Sequence, residues 1–352
     1  MQSNPFTLTF GIEPRTLIGK SNQFDSIKSN FLSDYPTTST YLITGIRGAG
    51  KTVLLTRLYK YFSSLEDWIV VELNPEMDMM EYLASSLYES ITQKFKFLKK
   101  DFSFSFYGLS FSISGEKPVS NVVTLLEKMF EILTKQNKKV LICVDDVSNN
   151  ANIKTFVQQY QIFLRKDYPL FLLMTGLFEN VRNLQNEKSL TFLYRAIQIN
   201  VDPLNLIDIA KSFEKILNVD RATAIKMANL TKGYAFAYQV LGYLFFESDK
   251  KELNDDLIEQ FDAYLRDYVY EKVYYDLTSS EKRFVDSLAA SSRGEIKQIL
   301  IALNTNKETI SPLRDRLLKK GIIVKTDWGK VGFSLPRFKE FVSERNEFFL
   351  DD

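Results

Sequence analysis

Not one of the 352 residues is histidine, and only one, Cys143, is cysteine. Without histidine there is no Ser-His-Asp catalysis, no His-ligated zinc and no imidazole proton shuttle. A lone cysteine excludes an intramolecular disulfide and a cysteine zinc cluster, and its place inside the apolar run Val140–Val144 reads as core rather than nucleophile. Net charge is nearly absent too: 45 Lys and Arg against 44 Asp and Glu leave +1. Attraction to nucleic acid or membrane therefore has to come from a local patch. No run approaches the roughly 18 uninterrupted apolar residues that span a bilayer, and the most apolar stretch, Tyr168–Leu177, is short and flanked by charge. Met1–Phe10 has no basic segment leading into a long apolar one, so no signal peptide is expected. A cytoplasmic location without a membrane partner is the default expectation.

What is present is ordinary for a globular chain: 45% hydrophobic and 25% charged residues, in a length that fits two or three domains. Tyr41–Thr44, Trp68–Leu73, Val140–Val144 and Leu170–Thr175 are continuous apolar runs, the pattern of strands buried on both faces. Ala196–Val201 is a weaker fifth. Helical periods lie between them at Lys51–Phe62, Asp78–Phe97, Val119–Gln136 and Asn152–Lys166. Strands alternating with helices predict an α/β fold, a parallel sheet with helices on both faces. Phe102–Ser114 interrupts the rhythm with period-two alternation around Tyr107-Gly108, which predicts a β-hairpin with one apolar face. The expectation is that this face packs on the core, with an exposed aromatic face for a partner as the alternative.

After Asp202-Pro203-Leu204 the β signal disappears. Helical periods at Asn205–Leu217, Asp220–Leu230, Tyr234–Glu247 and Leu253–Tyr275 predict an α-helical domain. From Thr278 onward three helical periods precede Ile322–Lys325 and Val331–Leu335, the order of a winged helix. The expected division is residues 1–202, 203–277 and 278–352.

Gly45-Ile46-Arg47-Gly48-Ala49-Gly50-Lys51-Thr52 fits G-x-x-x-x-G-K-[ST], follows an apolar strand and opens a helix. Its glycines let the backbone curl so that successive amides, with Val53 just behind, cradle phosphate at a helix N-terminus. Lys51 is expected on the β- and γ-phosphates and Thr52 on Mg²⁺. Val140–Val144 ends in Asp145-Asp146, a strand closing on two carboxylates. Asp145 suits a water-mediated Mg²⁺ contact, and Asp146 suits orienting or deprotonating an attacking water. The predicted ligands are ATP or ADP with Mg²⁺.

With these motifs the chain resembles the AAA+ P-loop ATPases, in the branch shared by initiator-type proteins and the STAND signalling ATPases, often called archaeal-type ATPases. The resemblance spans nearly the whole chain and implies a P-loop core, a helical lid and a C-terminal winged helix. It implies that Asn4–Lys20 contacts adenine, with Leu17 and Ile18 flanking the base and Lys20 where the family usually has arginine. It implies that Thr175, in Phe171–Gly176, senses the γ-phosphate or positions water. Arg195, before the fifth strand, becomes a candidate γ-phosphate sensor or finger. Gly233-Tyr234-Ala235 resembles the family's Gly-x-Pro turn, with Ala235 in place of the proline. No sensor-2 arginine stands in Tyr234–Glu247, where Tyr238 and Gln239 hold the positions read as exposed. In hydrolytic relatives the residue at 146 is usually Glu, and the shorter Asp146 is compatible with slow hydrolysis.

The C-terminal module carries the local patch that the whole-chain charge conceals. Thr305–Lys339 holds nine Lys or Arg against three acids. Contact with double-stranded DNA is the expectation this raises, with Arg314, Lys319 and Lys325 on phosphates and Ser311 or Arg316 near bases. A module for protein contacts, in a switch that self-associates on ATP binding, is the alternative.

Overall fold

A computed structural model describes residues 3–9, 11, 13–15, 18, 22–94, 103–106, 109–112, 121–249 and 251–350. The chain forms two compact units: Ser21–Thr44 with Leu54–Asn200, and Met1–Lys20 with Gly45–Val53 and Val201–Asp352.

The first is an α/β layer structure. Its helices are α1 (Asn22–Leu32), α2 (Lys51–Ser63, from Leu54 on), α3 (Met79–Lys94), α4 (Val122–Lys135), α5 (Ala151–Leu164) and α6 (Phe178–Gln185). Its strands are β1 (Thr40–Thr44), β2 (Trp68–Leu73), β5 (Lys139–Val144), β6 (Leu170–Gly176) and β7 (Ile197–Asn200), and between β2 and β5 lies the hairpin β3 (Ser103–Phe106) and β4 (Leu109–Ser112). The five form a parallel sheet in the order β2-β5-β6-β1-β7. β1 and β6 are buried at every position, because both faces are covered. On one face Leu42, Ile69, Val71, Ile142 and Leu172 join residues of α3 to α6 in one core. On the other an aromatic cluster fills the space under α1 and α2: Phe62 lies 4.4 Å from Trp68, and Phe171 lies 4.9 Å from Trp68 and 4.8 Å from Phe31.

The predicted strands thus recur within a residue or two, and the fold is the α/β class expected. β3 pairs antiparallel with β4, as the alternation at 102–114 predicts. The turn at Tyr107-Gly108 and the face its side chains take lie outside the described residues.

The second unit is mostly helical: α7 (Leu206–Leu217), α8 (Arg221–Thr231), α9 (Ala235–Glu247), and α10 (Asp255–Leu265) running through a π turn at Arg266–Tyr270 into α11 (Glu271–Tyr275). Then come α12 (Ser279–Ala290), α13 (Ile296–Ala302), α14 (Lys307–Lys319), the antiparallel hairpin β8 (Ile323–Asp327) and β9 (Lys330–Phe333), and α15 (Phe338–Leu350). This is the helix–helix–helix–hairpin order predicted, with one more helix at its end. The starts are written in the sequence: Asn205, Asp220, Asn254 and Asn306 cap with their side chains, and Thr278 with Glu281 forms a capping box. One hydrophobic core runs from Phe6 through α7–α11 to Val342. Lys232 donates to the carbonyls of Phe333 and Leu335 at 3.2 and 3.4 Å, and Arg337 forms a two-pronged pair with Asp262, so the terminal module is tied to the lid helices. No helix of the described residues is long and apolar enough to cross a membrane.

The N-terminal segment docks on α9. Asn4 donates to the Tyr243 carbonyl at 3.2 Å and to Glu247 at 2.7 Å, and the Thr7 amide donates to Gln239 at 3.0 Å. Gln239 is therefore half-buried and engaged, and Tyr238 is 1% exposed with its hydroxyl 2.7 Å from that of Ser212. This corrects the expectation that the two hold exposed positions: Phe6 and Phe213 close over Tyr238. The Phe6 ring lies where Gly242 has no side chain, and a Cβ there would fall 2.3 Å from it. In an exposed helix interior Gly→Ala gains about 1 kcal/mol. Gly242→Ala is expected to do the reverse, lowering denaturant-measured stability by about 1–3 kcal/mol through overpacking. The loss should shrink in a Phe6→Ala background, because the two sites couple; additive losses would refute the contact.

Candidate functional site

Within the second unit the Gly45–Thr52 loop has the form its motif predicts. Gly48 (φ +77°) and Gly50 (φ +99°) occupy left-handed backbone, where side-chain-bearing residues are strained. Helix α2 begins at Lys51. The Lys51 ammonium donates to the carbonyls of Gly45 and Ile46, both at 3.1 Å, and the Ala49 amide closes a turn on Ile46 at 3.2 Å. Two groups from the lid also reach the loop. The Tyr234 hydroxyl donates to the Arg47 carbonyl at 2.6 Å, and the Phe236 amide donates to the Gly48 carbonyl at 3.2 Å. Gly11 lies beside Thr52, since a Cβ on it would stand 3.9 Å from the threonine methyl, so the N-terminal segment passes the loop. Ile18 is partly buried against the unit's core, while Leu17 and Lys20 lie outside the described residues. Ala235 opens α9, and a Cβ on Gly50 would be 3.9 Å from its methyl.

The carboxylates belong to the first unit. The sheet order sets β6 between β1 and β5, with Ile43 level with Thr175 and Val144 level with Met174. Thr175, fully buried, donates its hydroxyl to Oδ1 of Asp145 and accepts from the Asp146 amide at 3.1 Å. One hydroxyl thus fixes both residues after β5. Asp146 takes a left-handed φ of +50°, an uncommon state that Asp tolerates better than most side chains, and is exposed. Val147 then bonds back to the Thr175 carbonyl at 2.8 Å. Arg195 is exposed at the end of a 3₁₀ turn, Lys188–Arg195.

Sequence reasoning passed over Glu72, whose signal is an acid inside the apolar run of β2, level with Cys143. Its side chain is exposed by surface area, and partial desolvation, then the charge of Asp145, raise its carboxyl above the ordinary range. Burial likewise pushes the Cys143 thiol up, with Glu72 and Asp145 adding to it, which fits an inert core thiol.

Arg314, Lys320, Lys330 and Arg337 of the terminal module's basic patch are paired with acids of the same chain. Arg314 bonds Asp315 at 3.0 Å, Lys320 meets the fully buried Glu281 at 2.8 Å, Lys330 lies 3.5 Å from Asp327, and Arg337 holds Asp262 and Glu340. Lys319 and Lys325 are exposed, while Ser311, Arg314 and Arg316 are half-buried.

A family model described as a domain of unknown function (DUF8462) matches residues 267–342. No curated protein matches the chain by sequence. Among solved structures it is similar to the Cdc6 protein of Pyrobaculum aerophilum, at 12% identity over 97% of each chain with a TM-score of 0.50. It is also similar to the ORC2 protein of Aeropyrum pernix in ADPNP–ADP complexes, at 11% identity over 94% of each chain with a TM-score of 0.56. At such identities the likeness is one of fold: the chain has the fold of the AAA+ initiator-type ATPases.

Two outcomes are expected at the strand ends. Thr175→Val keeps shape but leaves the Asp146 amide and an Asp145 oxygen without this partner, so unfolding free energy should fall by about 1–3 kcal/mol, while Thr175→Ser should keep most of it. Glu72 has a folded pKa above its unfolded one, so the stability it contributes is full below about pH 4 and is lost as pH rises through the folded value. Glu72→Gln should therefore raise the melting temperature near neutral pH and leave it nearly unchanged near pH 4; a pH-independent difference would contradict this.

Proposed function

We propose that the chain binds ATP with Mg²⁺, hydrolyses it slowly, and uses the nucleotide state as a conformational switch. The observation that carries this is the Gly45–Thr52 loop: left-handed Gly48 and Gly50, four engaged carbonyls and a helix opening at Lys51 form a phosphate cradle. The backbone of Gly45, Ile46, Arg47, Gly48, Ala49, Gly50 and Val53 binds phosphate, Lys51 takes the β- and γ-phosphates, and Leu17 and Ile18 flank adenine. Thr52 and, through water, Asp145 would hold Mg²⁺; hydroxyl and carboxylate are the hard oxygen donors this ion takes, and bound there it would neutralise phosphate charge. Asp146 orients the attacking water, Thr175 holds Asp145 and Asp146 in place, and Arg195 meets the γ-phosphate. Supporting the choice of nucleotide is the fold shared with the ORC2 protein solved in ADPNP–ADP complexes.

The terminal module, as a winged helix, contacts double-stranded DNA phosphates through Lys319 and Lys325, with Arg314, Arg316 and Ser311 at the edge of that surface. A second reading, in which the module binds protein and ATP drives self-association, is favoured by Trp328 and Ile301, which are 97% and 80% exposed: large apolar groups held in water point to a protein partner.

Lys51→Ala should abolish ATP binding in titration calorimetry, and Asp146→Asn should cut turnover about 10²-fold while leaving ATP affinity in place. Equal turnover in wild type and Asp146→Asn removes Asp146 from the chemistry. On duplex DNA, Lys319→Ala with Lys325→Ala should lower the slope of log affinity against log salt by about 2. Absence of DNA binding, together with an ATP-dependent rise in particle size, selects the protein-binding reading.

A further inference from the structure

We propose that Tyr234 is a positioning residue of the phosphate loop, holding the Arg47–Gly48 peptide in the orientation that nucleotide binding requires; this rests on the nucleotide reading given under Proposed function. A trans peptide is planar with its C=O and N–H on opposite sides, and no cis bond occurs among the described residues. Whatever fixes the Arg47 carbonyl therefore also fixes the direction of the Gly48 amide. Lys51 accounts for the Gly45 and Ile46 carbonyls, at the base of the loop. At the apex the Arg47 and Gly48 carbonyls are taken by the lid, by the Tyr234 hydroxyl and the Phe236 amide. Neither of those two donors comes from the loop itself.

Tyr234 is itself held firmly. It is 6% exposed, its amide bonds the Thr231 carbonyl at 2.9 Å, and the Leu204 amide bonds Gly233 beside it at 2.8 Å. Gly233 (φ +77°) leaves no room for a side chain, since a Cβ would meet the Leu204 carbonyl at 2.5 Å. The Phe236 ring packs edge-on at 6.4 Å. Burial pushes the phenol well above its ordinary pKa, so it remains a protonated donor. Gly48 is matched to it: a Cβ at this position would lie 2.1 Å from the Tyr234 hydroxyl oxygen. One glycine of the loop is thus required both by its left-handed backbone and by the tyrosine that leans on it. Tyr234 reaches the loop only by its carbonyl side, so it positions phosphate donors without being one of them.

The test measures ATP and ADP affinity by calorimetry, alongside apo melting temperature, for wild type, Tyr234→Phe and Ser212→Ala. Ser212 bonds the Tyr238 hydroxyl in the same lid at 2.7 Å, so its variant loses a comparable side-chain bond away from the loop. Tyr234→Phe should weaken both nucleotides about tenfold, within the range of one lost hydrogen bond. Ser212→Ala should lower the apo melting temperature and leave affinity within twofold. Affinity within twofold for Tyr234→Phe, with wild type binding normally, overturns the role of Tyr234 alone. Wild type that binds no nucleotide overturns the reading on which the role rests, and the role with it. Should Tyr234→Phe fail to fold by circular dichroism, Gly48→Ala probes the same contact from the loop side, and unchanged affinity there overturns the proposal equally.

Discussion

A loop that turns its amides toward an anion must find donors for the carbonyls it turns the other way. That constraint organises much of the second unit. Four consecutive carbonyls, Gly45 to Gly48, are accounted for, the first two by Lys51 and the last two by Tyr234 and Phe236. The lid residues that supply those donors begin α9, and α9 in turn seats Phe6 on Gly242 and bonds Asn4 and Thr7. Loop, N-terminal segment and lid are therefore one hydrogen-bonded assembly, and the single core from Phe6 to Val342 extends it into the terminal module. A change at the loop apex has a short covalent and hydrogen-bonded route to the start of α9.

The first unit solves a different problem with the same economy. Its strand order places β6 beside both β5 and β1, so a residue near the end of β6 can bond the two residues just past β5. Thr175 uses a single hydroxyl as donor to Asp145 and acceptor from Asp146. The carboxylate of Asp145 is thereby oriented, and the backbone of Asp146 is held in a left-handed turn that directs its side chain outward to solvent. A residue introduced as a γ-phosphate sensor by resemblance has an orienting duty visible within its own unit. The carboxyl of Glu72, on the neighbouring strand, is raised first by desolvation and then by the charge of Asp145.

Much of this was legible in the sequence because it is local. Strands buried on both faces write continuous apolar runs, and β1, β2, β5 and β6 appear where those runs stand. Helix starts were legible in Asn205, Asp220 and Thr278 because capping chemistry is confined to four residues. The phosphate loop was legible because its glycines, lysine and threonine are contiguous. What escaped was long-range. The Tyr234–Arg47 bond joins residues 187 apart, and nothing near Tyr234 in the chain marks it as a donor to the loop. Tyr238 was read as exposed because α9 is apolar almost all round, so no periodicity separates its faces. Only the docking of Phe6 and Phe213 decides which face is closed.

The terminal patch shows the same limit in charge rather than in packing. Counting Thr305–Lys339 by composition gives a strongly basic segment, but charge acts through what it is paired with. Asp315 and Asp327 lie inside the counted window and were already subtracted, whereas Glu281, Asp262 and Glu340 lie outside it and neutralise Lys320 and Arg337 from α12, α10 and α15. The Lys320–Glu281 pair is the most telling, since a fully buried carboxylate needs its cation for folding. That lysine is bound to the module's own architecture and is withdrawn from any ligand. The field such a patch offers is therefore carried by the exposed Lys307, Lys319, Lys325 and Lys339 more than by all nine cations of the window. Charge carried by a few exposed lysines gives a weaker field than nine unpaired cations would.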